Sequence, residues 1–125
     1  MRNLYLSGAI LWTVIVILCC LVSMNNFQSI PLEGGYTDKY AHFSFYFIFT
    51  VLWFLYLKSI AKPGKQTKSI RILVFIAAVI LGIVIEICQG VFTKDRSADV
   101  TDALANTTGS AIAILILWLL GRRTK

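Results

Sequence analysis

The chain has 125 residues, 58% hydrophobic and 14% charged, with a mean hydropathy of +0.76. That excludes an ordinary small water-soluble domain, whose apolar share sits near ~45–50%. Long uncharged runs parted by short polar ones are the pattern of a helical membrane protein. A formal charge of +6 would suit a nucleic-acid binder, but the basic residues gather at the ends of apolar runs, as at a membrane surface. Membrane lipid is therefore an expected partner and nucleic acid is not.

One domain is expected over residues 1–125. Cys19, Cys20 and Cys88 lie inside apolar runs without metal-ligand spacing and read as small buried hydrophobes. Arg2 followed by an apolar stretch resembles a secretory signal. The stretch is too long for one and has no small-x-small cleavage site, so a retained span is expected.

The first span is expected at 4–24, long enough for a hydrocarbon core of about 30 Å at 1.5 Å per residue. Its β-branched run Val14, Ile15, Val16 and Ile17 would favour a strand in water. In lipid every backbone group has to bond within its own segment, so the helix wins. Residues 25–39 read as a loop, because Pro31, Gly34 and Gly35 interrupt any helix. The second span, expected at 40–57, is dense in aromatic residues from Tyr40 to Tyr56. Asp38, His42 and Tyr46 are spaced by four and share one face if this helix starts early enough. Residues 58–71 carry Lys58, Lys62, Lys65, Lys68 and Arg71 with no acid, and a Pro63-Gly64 turn. A third span at 72–90, a loop with Lys94, Asp95 and Arg96, and a fourth span at 99–120 complete the chain.

Lys and Arg favour the cytoplasmic side in short loops. The 58–71 loop has five and the C-terminal tail three, against one in the first loop and two in the third. The expectation is an all-α membrane protein, four transmembrane helices in a compact bundle, with both termini in the cytoplasm and the first and third loops outside.

The polar residues within the spans are unevenly placed. At 1.5 Å per residue Glu86 lies about 9 Å below the outer edge of the core, Asp102 about 4–5 Å, Asn106 about 10–11 Å, His42 about 3 Å and Tyr46 about 9 Å. Asp99, Asp102 and Asn106 follow i, i+3, i+7, and Glu86 and Gln89 follow i, i+3, so each set lines one face. An ionisable group in a membrane helix is costly and marks a function or a pairing. An outward-facing polar pocket between the second, third and fourth helices is expected, lined by Asp38, Lys39, His42, Tyr46, Glu86, Gln89, Arg96, Asp99, Asp102 and Asn106.

Structural roles compete with chemical ones. Asp99 is placed to cap the fourth helix by accepting from the Asp102 backbone N–H. Lys39 and Arg96 balance acids in an ion-pair lock, Asn106 suits a helix–helix hydrogen bond, and Gly82 and Gly109 permit close approach. As chemistry, His42 oriented by Asp38 or Glu86 suits acid–base catalysis on a substrate from outside, with His42, Glu86 and Asp102 the catalytic candidates. A metal site could use His42 with Glu86, Asp99 or Asp102, but with one His and no paired-ligand motif, no metal and no cofactor is expected. Binding of an envelope molecule, with Arg96 and Lys39 meeting anionic groups, is the other option.

The stretches DKYAHFSFYFIF and GIVIEICQGVFTKDRSADVTDALANTTGS resemble the two signature segments of the VanZ-like family. The pattern D-K-x-x-H, E-x-x-Q, R-x-x-D-x-x-D-x-x-x-N-x-x-G falls on Asp38, Lys39, His42, Glu86, Gln89, Arg96, Asp99, Asp102, Asn106 and Gly109. The resemblance implies a small four-span protein of the bacterial cytoplasmic membrane, and a link to low-level resistance to the glycopeptide teicoplanin. Two functions follow as expectations. One is binding or modulation of a cell-envelope component, with a lipid-linked or glycopeptide ligand. The other is membrane-embedded catalysis on a lipid-linked substrate by His/carboxylate acid–base or metal-assisted chemistry.

Overall fold

The computed structural model describes residues 1–22, 37–62, 67–93 and 97–123. Within them lie four helices: α1 (Arg2–Leu21), α2 (Thr37–Ile60), α3 (Thr67–Phe92) and α4 (Val100–Arg123). Each is long and apolar enough to cross a membrane, and the described residues contain no strand. The β-branched run of α1 is helical throughout, as backbone hydrogen bonding in lipid requires.

The helices differ from the apolar windows at their ends. α1 stops at Leu21, and α2 and α3 run to 24 and 26 residues. Hydropathy marks the part of a helix that lipid covers, whereas polar residues with compatible charge continue the helix beyond it. In α2, Asp38 sits in the first turn and Lys58 in the last, each favourable to the helix dipole.

α2 packs against α1, α3 and α4, most extensively against α4. α3 also touches α1 and α4, while α1 and α4 make no close backbone approach among the described residues. Lipid tails are as apolar as leucine, so packing and interhelical hydrogen bonds hold such helices together. Trp12 Nε1 donates to the Phe45 carbonyl at 3.0 Å, tying α1 to α2. Trp53 Nε1 donates to Thr13 Oγ1 at 3.0 Å, and that hydroxyl donates to the Ala9 carbonyl at 2.7 Å. Around these ties Val16, Cys20, Tyr46, Phe49, Ala78 and Ile85 form one apolar cluster, and Phe54, Ile70 and Val74 a second.

One inward stripe per helix positions the site. In α3 the buried residues are Ile70, Val74, Ala78, Gly82, Ile85, Glu86 and Gln89, while Ile72, Ile76, Ile80, Ile83 and Ile87 on the other side are exposed. That stripe begins apolar and ends polar. In α2 it runs from His42 through Tyr46 and Thr50 to Phe54, and in α4 from Asp102 through Asn106 and Ser110 to Ala113. Because α3 runs opposite to α2 and α4, all three polar ends meet at one end of the bundle.

Candidate functional site

The site is built at the start of α2, the start of α4 and the last third of α3. Two glycines set the spacing. A Cβ on Gly109 would overlap the Phe43 carbonyl, so α4 approaches α2 backbone to backbone. A Cβ on Gly82 would stand 3.3 Å from Asn106 Nδ2 and 3.5 Å from the Tyr46 ring, so the bare α-carbon leaves room for the Asn106 amide.

Asp99 caps α4, with a partner one residue earlier than expected. Its Oδ1 accepts from the Thr101 backbone N–H at 2.8 Å and from the Thr101 hydroxyl at 2.7 Å. The Asp102 N–H goes instead to the Asp99 main-chain carbonyl, at 3.1 Å. These bonds from Thr101, helped by the nearby Lys39 ammonium, hold the Asp99 carboxyl below the ordinary carboxylate range. The Asp99 backbone N–H donates to Glu86 Oε2 at 3.2 Å, joining the cap of α4 to α3.

Lys39 bridges two acids from the facing helix end. Its ammonium donates to Asp102 Oδ1 at 3.0 Å and to Asp99 Oδ2 at 3.3 Å. Asp102 Oδ2 is left to face the imidazole of His42. That ring is 1% exposed. Its Nδ1 lies 3.0 Å from Asn106 Oδ1 and 3.8 Å from Glu86 Oε1, and its Nε2 is 3.8 Å from both Asp38 Oδ1 and Asp102 Oδ2. Three carboxylates from three helices thus stand around one buried imidazole, each just beyond hydrogen-bond range.

Of the residues expected here, the structure brings together Asp38, Lys39, His42, Glu86, Asp99, Asp102 and Asn106. Gln89 turns elsewhere: its amide nitrogen donates to the Cys20 carbonyl at 2.7 Å and fastens α3 to α1. The Tyr46 ring belongs to the apolar cluster beneath the site. Arg96 lies outside the described residues. Thr50 and Ser110 were not anticipated, though both are fully buried and Ser110 Oγ reaches the Tyr46 carbonyl at 3.5 Å. Their signal was register, since Thr50 stands eight positions after His42 and Ser110 four after Asn106.

Four buried side-chain atoms have no hydrogen-bond partner among the described residues: Tyr46 Oη, Thr50 Oγ1, Glu86 Oε1 and Asn106 Nδ2. Leaving such atoms unpaired costs about 1–3 kcal/mol each, and interiors normally avoid it. They belong to the inward stripes of α2, α3 and α4 and mark a polar, incompletely satisfied interior among the described residues.

Four membrane-length helices enclosing a buried, acid-rich polar site define a small multi-pass membrane protein. The chain belongs to the VanZ/LLP1 family, whose sequence profile matches residues 9–121, a stretch that includes every residue of this site. No curated protein and no solved structure matches the chain.

Proposed function

We propose that this VanZ/LLP1 family member resides in the bacterial cytoplasmic membrane with both termini inside, and that its polar site opens outward to bind or modulate a cell-envelope component. One observation carries the reading: seven polar or charged side chains of α2, α4 and their flanking residues and of α3 converge at one end of the bundle, three carboxylates within 3.8 Å of a single imidazole. The orientation rests on the basic residues of the 58–71 stretch, of which Lys58, Lys62, Lys68 and Arg71 lie at the opposite end of α2 and α3. The family's link to teicoplanin resistance points to a molecule of the cell-wall pathway, such as a lipid-linked intermediate. Lys39 and Arg96 are the cations that would meet its anionic part.

The test exchanges Glu86→Gln and Asp102→Asn in a strain whose teicoplanin tolerance depends on this chain. Tolerance is expected to fall while membrane insertion and expression persist. Full tolerance in both variants would leave the site a structural lock between helices.

A second reading, acid–base catalysis on a lipid-linked substrate, is favoured by the position of His42 between carboxylates on both ring nitrogens. Incubation with extracted envelope lipids and mass spectrometry separates the two, because a binder leaves no product. His42→Ala abolishing turnover while sparing lipid binding would select catalysis.

A further inference from the structure

We infer that Asp38, His42 and Asp102 form a binding site for a divalent transition metal, with zinc the best-fitting occupant. Sequence spacing argued against a metal, because the chain has one His and no paired-ligand motif. The fold supplies what spacing does not show, bringing ligands from the first turns of α2 and α4 together. The inference goes beyond the envelope-binding reading and does not depend on it.

The geometry suits a small cation. Each residue offers one ligand atom, and the three atoms lie within 4.8 Å of one another. His42 Nε2 is 3.8 Å from both Asp38 Oδ1 and Asp102 Oδ2. Zinc bonds of about 2.0–2.2 Å hold tetrahedral ligand atoms about 3.4 Å apart. The carboxylates need to close in by a few tenths of an ångström towards Nε2 and by up to about 1.4 Å towards each other.

The hydrogen bonding points the same way. Nδ1 donates to Asn106 Oδ1 at 3.0 Å, which leaves Nε2 on the side of the two carboxylates, 3.8 Å from each. Metal-binding histidines are fixed in this manner, the far N–H donating to an oxygen. Asp102 is oriented from behind, its Oδ1 held by Lys39 at 3.0 Å so that Oδ2 faces the gap.

Charge supplies an independent reason. Asp38, Glu86 and Asp102 stand around the imidazole, and Lys39 is bonded to Asp99 and Asp102. Glu86 is 5% exposed and its Oε1, without a hydrogen-bond partner, faces the same ring. Of these carboxylates Glu86 and Asp102 are buried; a buried carboxylate is costly at a membrane, and a divalent cation beside it offsets that cost. Three protein ligands leave a fourth position for an oxygen ligand.

The test uses the full chain, purified in detergent, stripped with chelator and dialysed to equilibrium against Zn²⁺ before metal quantification. About one zinc per chain is expected, and Mg²⁺ or Ca²⁺ at the same concentration should not displace it. His42→Ala and Asp102→Asn should weaken zinc binding more than tenfold, and Asn106→Ala by about 10–100-fold, as for residues that orient a ligand. Should the His42 variant fail to fold, Asp38→Asn at the exposed edge carries the same expectation. Zinc well below stoichiometric, or zinc held equally by the ligand variants, overturns the inference. No envelope molecule enters the measurement, so its failure leaves the proposed function standing. Glu86→Gln losing tolerance while keeping zinc would separate the two in the other direction.

Discussion

His42 and Asn106 are joined across the α2–α4 contact by a 3.0 Å hydrogen bond from imidazole Nδ1 to the amide Oδ1, and each is 1% exposed. The bond exists because the helices come unusually close. Gly109 lets the α4 backbone meet the Phe43 carbonyl, and Gly82 of α3 leaves space for the amide. Small residues thus place the chemistry, and the amide decides which ring nitrogen faces the carboxylates.

Asn106→Ala removes that acceptor and leaves a buried imidazole N–H unsatisfied. A loss of about 1–3 kcal/mol in stability is expected, read from unfolding in a denaturing detergent titration. Nitrogen NMR of the ring gives the sharper readout, with Nδ1 protonated in the parent chain and the preference weakened in the variant. Asn106→Asp keeps an oxygen at the same place and should keep the Nδ1-protonated form.

Gly109→Ala forces a methyl against the Phe43 carbonyl. Backbone cannot move aside as a flexible side chain does, so a cost of about 1–3 kcal/mol is expected. Gly121 is the internal control, since a Cβ there meets nothing within 4 Å. Gly121→Ala should be neutral or stabilise by up to about 1 kcal/mol, because alanine is the better helix former. Equal effects at the two positions would mean that α2 and α4 do not approach as described.

The bundle was legible because apolar runs of membrane length have only one way to satisfy their backbones. Much of the site was legible for a related reason. Glu86, Asp102 and Asn106 are conspicuous in otherwise apolar helices, and helical spacing puts them on inward faces. Partner choice was not legible. Gln89 has the same register as Glu86 to within a turn, yet the rotation of α3 aims it at the Cys20 carbonyl of α1. Thr101 rather than Asp102 satisfies the Asp99 side chain, because the N-cap geometry brings the second helical residue nearest. The grouping of Asp38, His42 and Asp102 was legible as part of one pocket, but their fitness for a metal was not: Asp102 comes sixty positions after His42, and only the α2–α4 contact gives the distances.

Lys39 holds two acids, of which Asp102 is the buried one, its side chain 9% exposed against 43% for Asp99. Lys39→Met leaves the Asp102 carboxylate without its cation inside the helix contact. Marked destabilisation is expected, since breaking one partner strands the other charge. The double variant Lys39→Met with Asp102→Asn should recover part of that loss, a coupling that a double-mutant cycle measures. Pairing Lys39→Met with Asp99→Asn should recover less. Strict additivity in both cycles would show that the bridge contributes nothing to folding.

Acid sensitivity tests the α4 cap. Hydrogen bonds from Thr101, with Lys39 adding to them, depress the Asp99 carboxyl below its ordinary value in the folded chain. A depressed carboxylate adds stability that is present in full above its unfolded pKa, about 3.9, and is lost as pH falls through the folded value. Near neutrality, stability should therefore not change with Asp99 protonation, and its contribution should disappear only below the usual carboxylate range. Thr101→Val removes one of the two Thr101 donors and should move the Asp99 titration up towards the ordinary value, so that the acid loss of stability becomes smaller. Asp99→Asn still caps the helix but does not titrate, so it should remove this part of the acid dependence altogether. Carbon NMR of the Asp99 carboxyl across an acid titration reads the shift directly. A midpoint at or above the ordinary value in the parent chain would mean that Asp99 does not accept from Thr101 in the membrane protein.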